Sequence, residues 1–145
     1  MTDVPDIFDL FNKKSTAYIY DCYDGDTCKA ILTIPNTDIK IKMTCRMDGY
    51  DSAEVRTRCA NEKKLGIISR DRLRDIILEK EVSLIGYGKD KYGRLLVRLS
   101  TDEYDDINQY MIDNNLGHPY DGGKKSKIVY NDDNTFVRGG TIFKY

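Results

Sequence analysis

The sequence has neither a long apolar run nor an excess of charge of one sign, and each absence excludes a class of protein. No stretch of about eighteen apolar residues occurs among its 145 residues, so a membrane-spanning helix is excluded. The formal net charge of −1 argues against a chain that coats a polyanion by bulk charge, but it leaves room for a locally basic cleft. The N-terminal stretch MTDVPDIFDLFNKK is acidic and lacks the apolar segment of a secretory signal. We therefore expect an intracellular protein that does not enter membranes.

Histidine and cysteine are too sparse and too irregularly spaced to predict a zinc site. The only histidine, His118, is far in sequence from the cysteines, whose spacing matches no zinc knuckle. The four cysteines are Cys22, Cys28, Cys45 and Cys59. In a reducing compartment we expect free thiols. We also expect His118, which precedes Pro119, to lie at the surface.

Turn signals and alternating patterns predict a small antiparallel sheet. Two runs rich in Tyr, Ile and Thr, residues 17–23 and 28–34, are separated by Asp24-Gly25, a strong hairpin signal. Residues 39–47 alternate apolar and polar side chains, as a half-buried strand does. Strand patterns return at residues 82–87 and 95–99. We expect most of the eleven tyrosines to pack in the core of this sheet.

Two segments have the helical period, and their positions suggest the fold. Residues 60–79 place apolar side chains on one face, with Gly66 weakening the first turn; residues 107–114 follow Asp105 or Asp106 as cap. Three strands, a helix, two strands and a second helix is the element order of an OB-fold. We therefore predict a mainly β (α+β) fold, a five-stranded Greek-key barrel with two or three helices.

The predicted barrel domain covers residues 17–120 and leaves a segment at each end. Residues 1–16 form an N-terminal extension, in which residues 6–11 are expected to form a helical turn on the barrel. Residues 121–145 have no clear period, and we expect an irregular tail with at most a strand at its end. The tail lysines, at positions 124, 125 and 127, are expected to be solvated, although they could reach a nucleic-acid backbone.

Three motifs place carboxylates and cations at the ends of predicted strands. The first, Asp24-Gly25-Asp26-Thr27, is either ordinary turn chemistry or a pair of hard oxygen ligands for Ca²⁺ or Mg²⁺. The second is RMDGYDSAE, residues 46–54, in which a bend at Gly49 could bring Arg46 and Asp51 to one face. Otherwise this segment is a surface strand end with mixed charges. The third, DKYGR at residues 90–94, is either a simple turn or a site for phosphate and base contacts.

In this order the three motifs resemble the signature of the staphylococcal nuclease (thermonuclease) family, over roughly residues 17–120. The resemblance implies a hydrolase acting on ester bonds: a Ca²⁺-dependent endo/exonuclease that cuts phosphodiester bonds of DNA and RNA and leaves 3′-phosphates. It implies DNA and RNA as substrates. We also expect no membrane partner and a monomer. The alternative is a catalytically weak module of the same fold that binds nucleic acid or protein.

The resemblance also implies a role for each matching residue. The catalytic residues are Arg46 and Arg94, which grip the phosphate, and Glu54, the general base. The calcium ligands are Asp26, Asp51 and the backbone carbonyl of Ser52, with Asp24 acting through water. The substrate contacts are Lys91, Tyr92 and Tyr120. The chain departs from the family at Ala53, where proline is frequent, and at Asp48, which adds negative charge near the site.

Overall fold

A computed structural model describes residues 13–145, which contain two helices and ten strands. In chain order the elements are β1 (Lys14–Asp24), β2 (Thr27–Thr33), β3 (Lys40–Met47), β4 (Tyr50–Asp51), α1 (Ala60–Ile77), β5 (Glu81–Lys89), β6 (Leu95–Ser100), α2 (Ile107–Asp113), β7 (His118–Pro119), β8 (Ile128–Tyr130), β9 (Thr135–Arg138) and β10 (Thr141–Lys144). The predicted helical turn at residues 6–11 lies outside the described residues.

Five strands close into a barrel in the order β1-β2-β3-β6-β5. β3 and β6 pair in parallel, and the other neighbours in the barrel are antiparallel. Side chains alternate along β1, where Ala17, Ile19 and Cys22 are completely buried and face the core. The predicted OB-fold barrel is therefore confirmed. The first strand is longer than expected, because it begins at Lys14, inside the predicted extension.

Helix α1 runs from Ala60 without interruption, so Gly66 does not delay its start. The sulfur of Cys59 caps the helix by accepting a hydrogen bond from the backbone N–H of Glu62 at 3.5 Å. A Cβ atom at Gly66 would lie 2.6 Å from the carbonyl oxygen of Glu54. Glycine is therefore required by the close approach of the helix to the second motif. All four cysteines are free, as expected.

Helix α2 ties the turn after β3 to the barrel. Asp106 is its cap, since one carboxylate oxygen accepts from the backbone N–H of Gln109 at 3.1 Å. The side chain of Asn108 is buried and donates to the carbonyl oxygens of Asp48 at 2.8 Å and Val97 at 2.9 Å. These contacts satisfy backbone groups that water cannot reach, and they fix the segment that follows β3.

The prediction of an irregular tail is wrong for much of residues 121–145. Strands β8, β9 and β10 form a three-stranded sheet with β9 in the middle. Gly139 and Gly140 both have positive φ, 58° and 80°, which suits the two-residue turn between β9 and β10. Phe136 is buried and stacks on Phe143 with ring centroids 5.1 Å apart. Strands this short hold too few residues to display an alternating pattern in the sequence.

The expectation that the tyrosines pack in the core holds for only some of them. Four pack partly buried against the core: Tyr104, Tyr110, Tyr130 and Tyr145. Tyr50 is the one tyrosine of the described chain that is fully buried. Five others are exposed at the surface: Tyr18, Tyr20, Tyr23, Tyr87 and Tyr92. Within residues 13–145, no helix has the length and apolarity needed to cross a membrane.

Candidate active site

The tight turn between β1 and β2 holds the two carboxylates of the first motif. Asp26 is buried, and its carboxylate accepts hydrogen bonds from the Thr27 hydroxyl at 2.9 Å and from the backbone N–H of Ser52 at 3.0 Å. Its own backbone N–H donates to the carboxylate of Asp24 at 3.1 Å. At Gly25 a Cβ atom would come within 2.6 Å of the Ser69 side chain, so the turn is pressed onto α1. The packing positions the turn, and the hydrogen bonds from Thr27 and Ser52 orient the Asp26 carboxylate.

The bend predicted at Gly49 is confirmed and brings Arg46 to Asp51. Gly49 has a φ of +91°, a backbone conformation that glycine adopts without steric cost. Beyond it, the guanidinium of Arg46 reaches the carboxylates of Asp26 at 3.0 Å and Asp51 at 3.1 Å. It also donates to the carbonyl oxygen of Tyr50 at 3.1 Å. Arg46 is buried, so its charge joins the first two motifs where water is largely excluded.

The crowding of carboxyl groups changes their pKa values. Burial, together with the hydrogen bond and negative charge of Asp26, raises the pKa of Asp24 to about 8. Burial and the charge of Asp26 likewise raise the pKa of Asp51 to about 6. Burial also works to raise the pKa of Asp26, but the hydrogen bond from Asp24 and the charge of Arg46 outweigh it and hold that pKa low. Asp24 therefore carries a proton at neutral pH and Asp26 carries the charge.

Glu54 lies near the carboxylate of Asp51, and between them lies a lysine that the sequence predicts to be solvated. The Glu54 side chain is exposed, and its backbone N–H donates to the carboxylate of Glu62 at 3.1 Å. The ammonium of Lys125 lies 3.9 Å from the Glu54 carboxylate and 3.4 Å from that of Asp51. Lys125 is thus part of the site, contrary to the expected solvated tail. No local pattern could have identified it, because Lys125 follows Asp51 by 74 residues in the chain.

His118 was expected at the surface, but it is buried next to Asp51. It pairs with Asp51 across the β4–β7 ladder, and its Nε2 atom lies 3.8 Å from the Asp51 carboxylate. Burial and the nearby charges of Arg138 and Lys125 lower the pKa of His118 to about 4. The imidazole is therefore neutral at pH 7 and forms no ion pair. A burial that depends on pairing between distant segments leaves no signal in the sequence.

A cavity beside these carboxylates gathers the other residues that the sequence assigned to substrate. Its volume is about 370 Å³, and its lining includes Arg46, Arg94, Lys91, Tyr92, Tyr120 and Lys125. The third motif forms the turn between β5 and β6, in which the carboxylate of Asp90 accepts from the Arg94 backbone N–H at 2.9 Å and pairs with Arg94 Nε at 2.7 Å. The Arg94 guanidinium lies 5.3 Å from the centroid of the Tyr92 ring. Asp90 therefore orients Arg94 at the cavity wall.

The oxygen atoms near Asp26 have the chemistry that Ca²⁺ prefers, although they do not form a complete cage. In the described chain, no group of three His, Cys, Asp or Glu side chains is arranged to hold a metal ion. The carboxylates of Asp26 and Asp51 instead share Arg46. Beside them the hydroxyl oxygen of Ser52 is buried without a hydrogen-bond partner. Calcium takes carboxylate, carbonyl and water oxygens together, so these residues with added water fit such an ion.

Comparison with known families gives a match. The sequence model of the staphylococcal nuclease homologue family matches residues 44–133. The match covers the second and third motifs, helix α2 and part of the C-terminal sheet, and it begins after the first hairpin. A comparison with curated proteins gives no match. Because the family match spans more than half of the 145 residues, the chain belongs to the family of staphylococcal nuclease homologues.

Proposed function

We propose that this protein is a Ca²⁺-dependent nuclease that hydrolyses phosphodiester bonds of DNA and RNA and leaves 3′-phosphates. One observation carries the proposal: two guanidinium groups, of Arg46 and Arg94, line one cavity next to a buried carboxylate pair. A phosphodiester is an anion that water must attack, so a catalyst has to neutralise charge and orient the water. Guanidinium groups neutralise the charge of the phosphate, and a carboxylate orients the water.

The two arginines serve the phosphate in different ways. Asp90 engages Nε of Arg94, which leaves the two Nη groups as paired donors for phosphate oxygens. Arg46 is held by two carboxylates and by the carbonyl oxygens of Met47 and Tyr50. Substrate binding at Arg46 therefore exchanges one of these contacts for a phosphate oxygen. Arg94 provides paired donors at the cavity wall, and Arg46 keeps the carboxylate pair together until substrate binds.

Glu54 is the group placed to take the proton of the attacking water. The residue is exposed, so water reaches its carboxylate. Burial and the negative charge of Asp26 raise its pKa above the usual value, which brings it closer to the pH at which it must accept a proton. Lys125 lies 3.9 Å away and limits that rise by its positive charge.

Calcium would be held by Asp26, Asp51 and the backbone carbonyl of Ser52, with Asp24 acting through water. When bound, it would supply Lewis-acid polarisation of a nonbridging phosphate oxygen. Replacing Asp26 or Asp51 with Ala should remove most Ca²⁺ binding while the protein stays folded, because like charges no longer repel. Isothermal calorimetry measures this, with Asp71→Ala as the control for an exposed carboxylate that pairs with Arg70. Unchanged affinity in both site variants contradicts the ligand assignment.

The activity itself is tested by incubating the purified protein with plasmid DNA and with labelled RNA. We expect cleavage with Ca²⁺, loss of cleavage when a chelator is added, and products whose 3′ ends become extendable only after phosphatase treatment. Arg94→Ala should lose this cleavage, whereas Arg70→Ala, which changes an arginine paired to Asp71, should keep it. Intact nucleic acid at every Ca²⁺ concentration would refute the proposal.

The second candidate is a catalytically weak binding module of the same fold. The contacts of Arg46 favour it, because the guanidinium occupies carboxylate oxygens that a metal ion would need. Such a protein would bind an oligonucleotide and leave it uncut under the conditions just described. Either protein is expected to be a monomer, which light scattering measures.

A further inference from the structure

The outer face of the barrel carries a row of polar side chains that leads to Arg46. Along β3, Lys40, Lys42 and Thr44 occupy alternate positions and are exposed, and Arg46 is the next residue in this alternation. Residues in a strand advance by about 3.3 Å, so the positions of this row recur about every 7 Å. The row therefore begins at the active site and runs away from it over the barrel surface.

A groove lies between this row and the turn that carries Arg94. Its volume is about 450 Å³, and it is lined by Lys42, Met43, Thr44, Tyr92, Gly93 and Arg94. We call it the β3 groove. Tyr92 and Arg94 also line the active-site cavity, so the groove and the cavity share a wall. A polymer held in the cavity can continue into the β3 groove without leaving the protein surface.

Two exposed aromatic rings lie beyond the β3 groove, on β1. The ammonium of Lys42 lies 5.7 Å from the centroid of the Tyr20 ring. Tyr18 lies opposite Ile31 of β2, and Ile31 lies opposite Lys42 of β3, so the three residues form one row across the three strands. Tyr18 and Tyr20 are both exposed, although an aromatic ring gains more by burial in the core. Exposed rings at this position are suited to stacking on unpaired bases, whatever the base identity.

The charge of this face is complementary to a polyanion. Among residues 13–145, no carboxylate forms an ion pair with Lys40 or Lys42. Acidic residues also lie on the neighbouring strands: Asp21, whose carboxylate lies 3.9 Å from Arg74, and Glu81, opposite Tyr18. The net charge of the whole chain is −1, so these lysines form a local basic track and not part of a general positive surface.

We propose that the β3 groove together with Tyr20 and Tyr18 binds the single-stranded nucleic acid that continues from the active-site cavity, with its backbone along Lys42 and Lys40 and a base on Tyr20. The inference rests on the proposed nuclease function and adds to it a binding site for the part of the strand that lies outside the cavity. Single strands are favoured because a base inside a duplex offers no free face to Tyr20.

Binding is measured by fluorescence anisotropy with the full chain, a chelator and a labelled oligothymidylate, so no cleavage occurs. Tyr20→Ala should weaken affinity about five-fold or more, and Tyr20→Phe, which keeps the stacking face, should bind as the wild type does. Lys42→Ala should lower the slope of log affinity against log salt by about 0.7, the share of one phosphate contact. Lys144→Ala, an exposed lysine on β10, is the matched control and should change neither quantity.

Length dependence separates a binding role from a merely structural one. A labelled dinucleotide fills the cavity alone, so its affinity should not respond to Tyr20→Ala. The inference is overturned if Tyr20→Ala and Lys42→Ala bind the long strand as the wild type does, if Lys144→Ala weakens binding as much as Lys42→Ala, or if the wild type does not bind single strands. Because this assay involves no turnover, a failure here is distinct from a failure to cleave plasmid with Ca²⁺.

Discussion

Replacement of Arg94 by lysine tests whether paired donors, and not charge alone, stabilise the transition state. The Nε atom of Arg94 pairs with the Asp90 carboxylate at 2.7 Å, and the Nη groups stay available for phosphate. A lysine has one ammonium group, and Asp90 would compete with the phosphate for it. Arginine can serve both anions at once, whereas lysine cannot. The variant therefore retains the charge of the wild type but loses the donors directed at the substrate.

The expected loss is large in turnover and small in stability. Removing a preorganised donor costs about 2.7–4 kcal/mol in the transition state, a decrease of kcat by about two to three orders of magnitude. KM should change little, because the interaction strengthens as charge builds on the phosphate. The Arg94–Asp90 pair is partly exposed, with side chains 28% and 15% accessible. Its loss should therefore change the free energy of unfolding by about 1 kcal/mol or less.

Steady-state kinetics on a short oligonucleotide with Ca²⁺ measures the effect, and circular dichroism checks the fold. Arg70→Lys is the matched control, since Arg70 pairs with Asp71 and lies outside the cavity. A folded Arg94→Lys enzyme with the kcat of the wild type would remove Arg94 from the chemical step. An equal loss in Arg70→Lys would show that the assay reports a general effect of arginine replacement.

Three further predictions follow from the carboxylates and from α1. Glu54→Gln should lower kcat by about 10²–10⁴-fold, measured by steady-state kinetics, and leave the nucleotide affinity unchanged, measured by calorimetry. Full turnover in this variant would exclude Glu54 as the base. The folded protein holds the Asp24 proton up to about pH 8, whereas the unfolded chain releases it near 3.8, so stability without metal should fall as pH rises through this range. Asp24→Asn should therefore melt at the wild-type temperature near pH 4 and be more stable than the wild type by about 5 kcal/mol at pH 8, since each pKa unit is worth about 1.4 kcal/mol. Equal stability of the two proteins at both pH values would contradict the raised pKa. Gly66→Ala is a change that normally stabilises a helix by about 1 kcal/mol. Here it should destabilise the protein by about 1–3 kcal/mol in urea titrations, because the added Cβ would lie 2.6 Å from the Glu54 carbonyl oxygen. A stabilised variant would refute that close approach.

Much of the barrel was predictable because its elements are encoded locally. The Asp24-Gly25 turn, the alternation along residues 39–47 and the helical period after residue 60 each depend on neighbours a few positions apart. The cap at Asp106 is equally local, since it needs only the N–H of Gln109 three residues later. The start of helix α1 was harder to predict, because glycine disfavours a helix. The reason for a glycine at position 66 is its close approach to the carbonyl group of Glu54, which the sequence does not show.

By itself the sequence determined the three motifs, their order and therefore the family, together with the residues that the cavity brings together. Only the tertiary structure decided that Lys125 reaches Asp51 and Glu54 and that His118 is buried against Asp51. It also decided that Tyr20 is exposed beside Lys42. The physical reason is the range of the interactions. Turns, caps and periodic patterns are written within a few residues, whereas these contacts join segments far apart in the chain, where no local pattern records the partner.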